Sequence, residues 1–292
     1  MGHTFVPKLK AMKQNHITNI GIIGALFEEV QPLLEQIINW KEYNRKTGIF
    51  YYKVYEKLGL ILTFSGPGKV NAAISTQVLI DHFKAEKIIL SGTAGALEPA
   101  IRIGDVVIGT ELIYHDLGYI YGQEDFLPSG CYIRGNTPDT PMDLSKIQSF
   151  PSNESLVKLA QLAGHKLQRD STSHKGLNFA ILSGPIVTGD QAILSSAKRE
   201  WLKKTFKAKM VEMEGAAVAH TAHINKVPFL VIKAASDNSD ERTVENLEVL
   251  RQLASSNSIQ VARKNRPLSD NFLLAANNAA TLVKAIIDQL LS

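Results

Sequence analysis

The sequence predicts an α/β layered domain on a largely parallel or mixed sheet, and three observations predict it. Short apolar runs recur that are too continuous for a one-sided sheet and too short to cross a membrane; segments with helical apolar spacing fall between them; and glycines or acids stand where several runs end.

Taken in order, Asn19–Gly24 reads as a first strand, a tight turn at Gly24-Ala25 follows, and Glu28–Trp40 has helical spacing. Ile49–Tyr55 and Leu58–Phe64, separated by Glu56-Lys57, read as a hairpin or meander. Ser65-Gly66-Pro67-Gly68 breaks the chain before a helix over Lys69–Phe83. Lys87–Leu90, Val106–Tyr114, Phe179–Val187 and Phe229–Ala235 read as strands buried on both faces, and Met210-Val211 leads into a further turn. Helices are predicted at Glu154–Lys166, Ser195–Phe206, Gly215–Lys226 and Phe272–Leu291. Leu117–Pro151 and Ser255–Pro267 break the rhythm; for a loop of the first one's length, a functional lid and a disordered segment both stand open.

Composition narrows the function classes. The 292 residues are 45% apolar, enough for one large core, so a single domain is expected over 19–292, with a flexible extension at 1–18 and insertions near 117–151 and 241–267. Lys plus Arg exceeds Asp plus Glu by 32 − 28 = 4, and apart from Arg263-Lys264-Asn265-Arg266 the basic residues are dispersed, which argues against nucleic acid as a partner. The single cysteine, Cys131, excludes an internal disulfide; a reducing cytoplasm fits best, and one cysteine is also compatible with export. Met1–Thr18 lacks the apolar core of a signal peptide, Val6 stands where a myristoylation signal wants Ser or Thr, and no membrane partner is expected.

Ligands of open α/β sheets bind beyond the carboxyl ends of the strands. Four such ends stand out: Gly24–Glu29, Ser91–Gly95, Glu212–Gly215 and Ser236–Asn238, three of them with carboxylates. Each has a plain reading beside a functional one. Glu28 and Glu29 suit the positive end of a helix dipole, Asp237 suits a helix cap, and Gly92–Gly95 suits a tight turn. Glu212 and Glu214, beside an apolar strand and a small-residue helix start, are harder to dismiss because burying unpaired carboxylates is costly. The glycines also permit close approach of a ligand to the backbone. His220 and His223 lack the glutamate of a zinc HExxH motif and read as ordinary helix residues, His115 is a weak candidate at a strand end, and Gly66-Pro67-Gly68-Lys69 lacks the spacing and trailing hydroxyl of a P-loop.

Seven strings now carry a resemblance: GIIGALFEEV (21–30), SGPGKVNAA (65–73), SGTAGAL (91–97), IGDVVI (103–108), VTGDQAI (187–193), VEMEGAAVAH (211–220) and AASDNSD (234–240). In type and order they resemble the methylthioadenosine/S-adenosylhomocysteine nucleosidase family of the nucleoside phosphorylase superfamily. The resemblance implies a three-layer α/β/α sandwich with a mixed, partly barrel-like central sheet, commonly a homodimer, and hydrolysis of an N-glycosidic bond without metal or organic cofactor. It implies that Glu29 activates water, Glu214 binds the ribose hydroxyls beside Met213, and Asp237 protonates the five-membered ring of adenine. Gly95 and Ile193 would line the base pocket, and Thr93, Ala94, Glu212, Ala192 and Ser236 fall in the same motifs as substrate contacts.

The residue types suit the chemistry. Cleavage builds positive charge on ribose and negative charge on the base, so an acid is needed at the base, an anion near the sugar, and a base for water. The acid must hold its proton when substrate binds. Phosphate-using relatives supply arginines around the first glycine turn and before the second glycine motif, whereas Gly24–Phe27 and Leu90-Ser91 contain none, which favours water as nucleophile. One departure stands out: Ala192 occupies the place of an aromatic that stacks on the purine, a loss that weakens base binding by about 1 kcal/mol unless a residue from elsewhere, such as one in the 117–151 loop, takes its place. The alternatives are a nucleosidase for a related nucleoside such as aminodeoxyfutalosine or 5′-deoxyadenosine, a purine nucleoside phosphorylase, and a non-catalytic nucleoside-binding protein.

Overall fold

The computed structural model describes residues 17–122, 125–128, 149–171, 177–241 and 269–292. Cys131, the Arg263–Arg266 cluster and the stretch before residue 17 lie outside them. The predicted apolar runs form strands β1 (Thr18–Gly24), β4 (Leu58–Phe64), β5 (Lys87–Ala96), β6 (Val106–Tyr114), β10 (Ile181–Thr188) and β12 (Phe229–Asp237). They join β2 (Lys41–Arg45), β3 (Gly48–Val54) and β11 (Met210–Glu212) in one sheet of order β11-β10-β6-β12-β5-β1-β4-β3-β2. Strand β1 runs parallel to both β4 and β5, and β12 runs parallel to β5 but antiparallel to β6. Strand β11 also pairs antiparallel with β5, through Met210 with Ala96 and Val211 with Gly95, so β5, β12, β6, β10 and β11 close into a barrel.

The continuous apolar runs have a direct structural cause. Alternate side chains enter two cores: Leu230, Ile232 and Ala234 point into one, Phe229, Val231 and Ala235 into the other. Helices α1 (Phe27–Gln36), α3 (Glu154–Ser171) and α6 (Asp270–Leu291) cover the first face, and α2 (Lys69–Asp81) and α5 (Gly215–Ile224) cover the second. This is the three-layer arrangement with a partly barrel-like sheet. Helix α4 (Ser196–Phe206) adds Leu202 and Phe206 to a third cluster with Val187, Ile193 and Val211. No helix among the described residues is long and apolar enough to cross a membrane.

Two expectations need correction, and one strand had no expectation attached to it. Helix α1 ends at Gln36 rather than Trp40, because Ile37 turns extended and Asn39 takes a φ of 64°. Lys41–Arg45, a polar segment with no apolar period, is an edge strand paired with β3. The stretch expected as a 117–151 loop contains a β7–β8 hairpin (Gly118–Tyr121 and Asp125–Pro128), and its last residues form β9 (Ser149–Pro151) against β6.

Candidate active site

The ends of β1, β5, β11 and β12 converge on a cavity of about 290 Å³. All eleven residues nominated from the sequence line it: Glu29, Thr93, Ala94, Gly95, Ala192, Ile193, Glu212, Met213, Glu214, Ser236 and Asp237. Glu28 and His115 do not line it.

Glu29 sits in the first turn of α1, whose N-cap, Leu26, has no polar side chain. The helix is capped from within instead. Glu29 Oε2 accepts the N–H groups of Ala25 at 2.6 Å and Leu26 at 3.0 Å, while Oε1 accepts the N–H of Thr93 at 2.7 Å and its hydroxyl at 3.0 Å. Helix capping and site residence are thus one arrangement, and four donors offset much of the cost of burying this carboxylate. Gly92 makes it possible: a Cβ there would stand 2.5 Å from Glu29 Oε1.

Asp237 ends β12. Its Oδ1 accepts the N–H of Ser239 at 2.8 Å, its Oδ2 accepts the Ser236 hydroxyl at 2.9 Å, and it is partly exposed to the cavity. A Cβ on Gly95 would lie 3.0 Å from Asp237 Oδ1 and closer still to Ser239 Oγ. The two glycines therefore make room first for the protein's own acid-bearing segments.

The third acid group surrounds a residue the sequence reading passed over. Lys233, inside the apolar run of β12, is fully buried, with Nζ 3.1 Å from Glu212 Oε2 and 3.3 Å from Glu214 Oε2. Burial alone would push its ammonium toward losing the proton, but Glu212, Glu214 and Glu29 together hold it above the ordinary lysine range. Glu214 is pushed up, foremost by burial and also by Glu212; Lys233 and the N–H of Gly68, at 2.9 Å from Glu214 Oε1, oppose the shift. Glu212 is tied to protein donors on both oxygens: the Thr188 hydroxyl and Gly215 N–H on Oε1, and Glu214 N–H, Gly215 N–H and Lys233 on Oε2. It secures the start of α5 and the buried cation. A lysine amid seven apolar or small neighbours, Phe229–Ile232 and Ala234–Ser236, was the available signal, and the carboxylates it serves are too distant in sequence to reveal it.

One wall of the cavity is formed by Gln191–Leu194. Ala192 is exposed, and the one aromatic on the cavity among the described residues is Phe272, from the first turn of α6. Ser269 caps that turn by accepting the Phe272 N–H at 3.2 Å. No basic side chain lines the cavity among the described residues. His220 is packed against Phe150, ring centroids 4.9 Å apart, and faces the Tyr114 hydroxyl at 3.3 Å, as an ordinary helix residue would.

Comparison with known proteins identifies relatives in sequence and in fold. Residues 19–291 match the family model of the phosphorylase superfamily. The 5′-methylthioadenosine/S-adenosylhomocysteine nucleosidase of Anoxybacillus flavithermus is 33% identical over 251 residues, covering 84% of this chain and 96% of that protein. The Helicobacter pylori enzyme of the same name, solved with a pyrrolopyrimidine ligand bearing a propynylthiomethyl arm, superposes with a TM-score of 0.71 at 28% identity over 94% of this chain and 99% of its own. The futalosine hydrolase of H. pylori superposes with a TM-score of 0.70 at 26% identity, covering 94% and 98%.

Proposed function

Since the chain belongs to the phosphorylase superfamily, we propose that it is the hydrolytic kind of member, an N-glycosyl hydrolase that releases adenine from 5′-methylthioadenosine and S-adenosylhomocysteine. The observation that carries this reading is that Glu29, Glu214 and Asp237 share one cavity, with no basic side chain lining it among the described residues. A phosphate dianion entering there would meet carboxylates, and the ammonium behind them, Lys233, is fully buried and already paired with Glu212 and Glu214, whereas water needs only a base.

In the reaction the C1′–N9 bond breaks and water supplies the new C1′–O bond. Asp237 gives its proton to the imidazole-ring nitrogen of the departing adenine, and Glu29 takes one from the attacking water. Glu214 accepts hydrogen bonds from the ribose hydroxyls beside Met213, and the carboxylates near the sugar stabilise the positive charge that grows on the ring. Ile193, Ala192, Thr93, Ala94, Gly95 and Ser236 enclose the base, and Glu212 acts through Lys233 and the start of α5.

The working form is a homodimer in the cytoplasm. Tyr119, Ile120, Tyr121 and Leu127 of the hairpin are all exposed in the single chain, as are Val70 and Ile74 on α2, and a second copy would cover such a surface. The likeness to futalosine hydrolase supports a second reading, in which the same site cleaves a nucleoside with another 5′ substituent. Purified protein incubated with each nucleoside, with and without phosphate, separates the readings. Adenine release from the two thio-nucleosides, independent of phosphate, is expected; a requirement for phosphate would overturn the hydrolase reading.

A further inference from the structure

The Gly66–Lys69 motif is not a phosphate loop, yet Lys69 is the hub of a cluster that the mechanism leaves unexplained. Its Nζ lies 2.8 and 2.7 Å from the two carboxylate oxygens of Asp116 and 3.5 Å from Asp190 Oδ2. Its own N–H donates to Asp190 Oδ1 at 2.9 Å, and the Asp190 N–H donates to Asp116 Oδ2 at 2.9 Å. The ammonium also stands 5.6 Å from the centre of the Tyr114 ring. Lysine and Asp116 are both mostly covered, with side chains 26% and 16% exposed, so this is a chelated network rather than a solvated pair.

None of the three lines the cavity, but two of them adjoin its walls. Lys69 follows Pro67 and Gly68; Pro67 faces the cavity, and Gly68 gives its N–H to Glu214. Asp190 precedes Gln191–Leu194, one wall of the cavity. Asp116, beyond β6, is the fixed point to which both are tied. With two carboxylates around one ammonium, the cluster has no positive charge to offer an anionic ligand.

We propose that Lys69 is a positioning residue: by chelating Asp116 and holding Asp190, it sets the distance between the loop that secures the ribose-binding acid and the loop that forms the base wall. The inference rests on the nucleosidase reading for its effect on substrate, but the clamp itself can be observed without turnover.

The test compares Lys69→Met, Lys69→Arg, Asp116→Asn and the double variant Lys69→Met/Asp116→Asn with the parent. Amide hydrogen exchange is followed across the chain, together with KM and kcat for 5′-methylthioadenosine. In Lys69→Met, exchange should rise in residues 65–68 and also in 189–195, which are remote in sequence, with the rest of the sheet unchanged. KM should rise at least tenfold with a smaller change in kcat, Lys69→Arg should recover part of it, and the double variant should be no worse than Lys69→Met. Unchanged exchange in 189–195, a uniform rise over the whole chain, or effects of the two single variants that multiply in the double would overturn the clamp. A parent that releases no adenine would overturn the nucleosidase reading and leave the exchange result to decide the clamp.

Discussion

Lys233 Nζ and Glu214 Oε2 are 3.3 Å apart in a region closed to solvent, and the same ammonium reaches Glu212 Oε2 at 3.1 Å. One buried cation thereby serves two carboxylates at the floor of the cavity. Burial still pushes Glu214 up, and Lys233 works against that shift, favouring the charged carboxylate where a sugar would become positive.

Replacing Lys233 by Met should therefore destabilise the fold by about 3–5 kcal/mol, because it leaves buried carboxylates without a counter-charge. Urea denaturation near neutral pH checks this, and a loss under about 1 kcal/mol would show that the pair does not depend on the lysine.

His115 gives a pH-dependent prediction. It is 1% exposed, neither ring nitrogen has a hydrogen-bond partner among the described residues, and burial foremost lowers its pKa from 6.5 to about 4. The unfolded chain binds a proton below pH 6.5 that the folded chain refuses until about pH 4, so this contribution to stability is complete above 6.5 and is lost as pH falls through that window. At pH 5 the loss should be about 2 kcal/mol relative to neutral pH. His115→Gln should flatten the dependence between pH 7 and 5, whatever its absolute stability; an equal slope in parent and variant would remove His115 from the account.

Gly92→Ala should cut kcat at least about a hundredfold, since its methyl would stand 2.5 Å from Glu29 Oε1 and Glu29 would have to leave Thr93. Adenine release under saturating substrate measures it. Near-parental turnover would mean that the position of Glu29 is not critical.

Phe272→Ala should raise KM about two- to tenfold, the scale of one aromatic contact, with Phe272→Tyr close to the parent. An unchanged KM would show that Phe272 does not contact the nucleoside.

These residues also show what was legible in the chain. The strands of the sheet interior were readable because both faces are buried, so Phe229–Ala235 is apolar at every position but Lys233; the edge strand Lys41–Arg45 was not, because its neighbours and not its own pattern hold it extended. The carboxylates that line the cavity were readable as candidates because they stand at or just beyond strand ends, Glu214 beside Gly215 and Glu29 within the turn that follows Gly24. Lys233 was hidden by its strand, since a cation looks out of place there until Glu212 and Glu214 are brought beside it. Phe272 was hidden for a similar reason: nothing local to a helix start in the last tenth of the chain points at a cavity built by β1, β5, β11 and β12.

The most direct measurement is made on Asp237→Asn, which preserves shape and keeps one oxygen to accept the Ser239 N–H but has no acidic proton to give. Its turnover of 5′-methylthioadenosine should fall by about a thousandfold or more, while the dissociation constant of the uncleaved nucleoside stays within a few fold of the parent KM. A variant that still releases adenine at near-parental rate would contradict Asp237 as the proton donor and, with it, the mechanism built around this cavity.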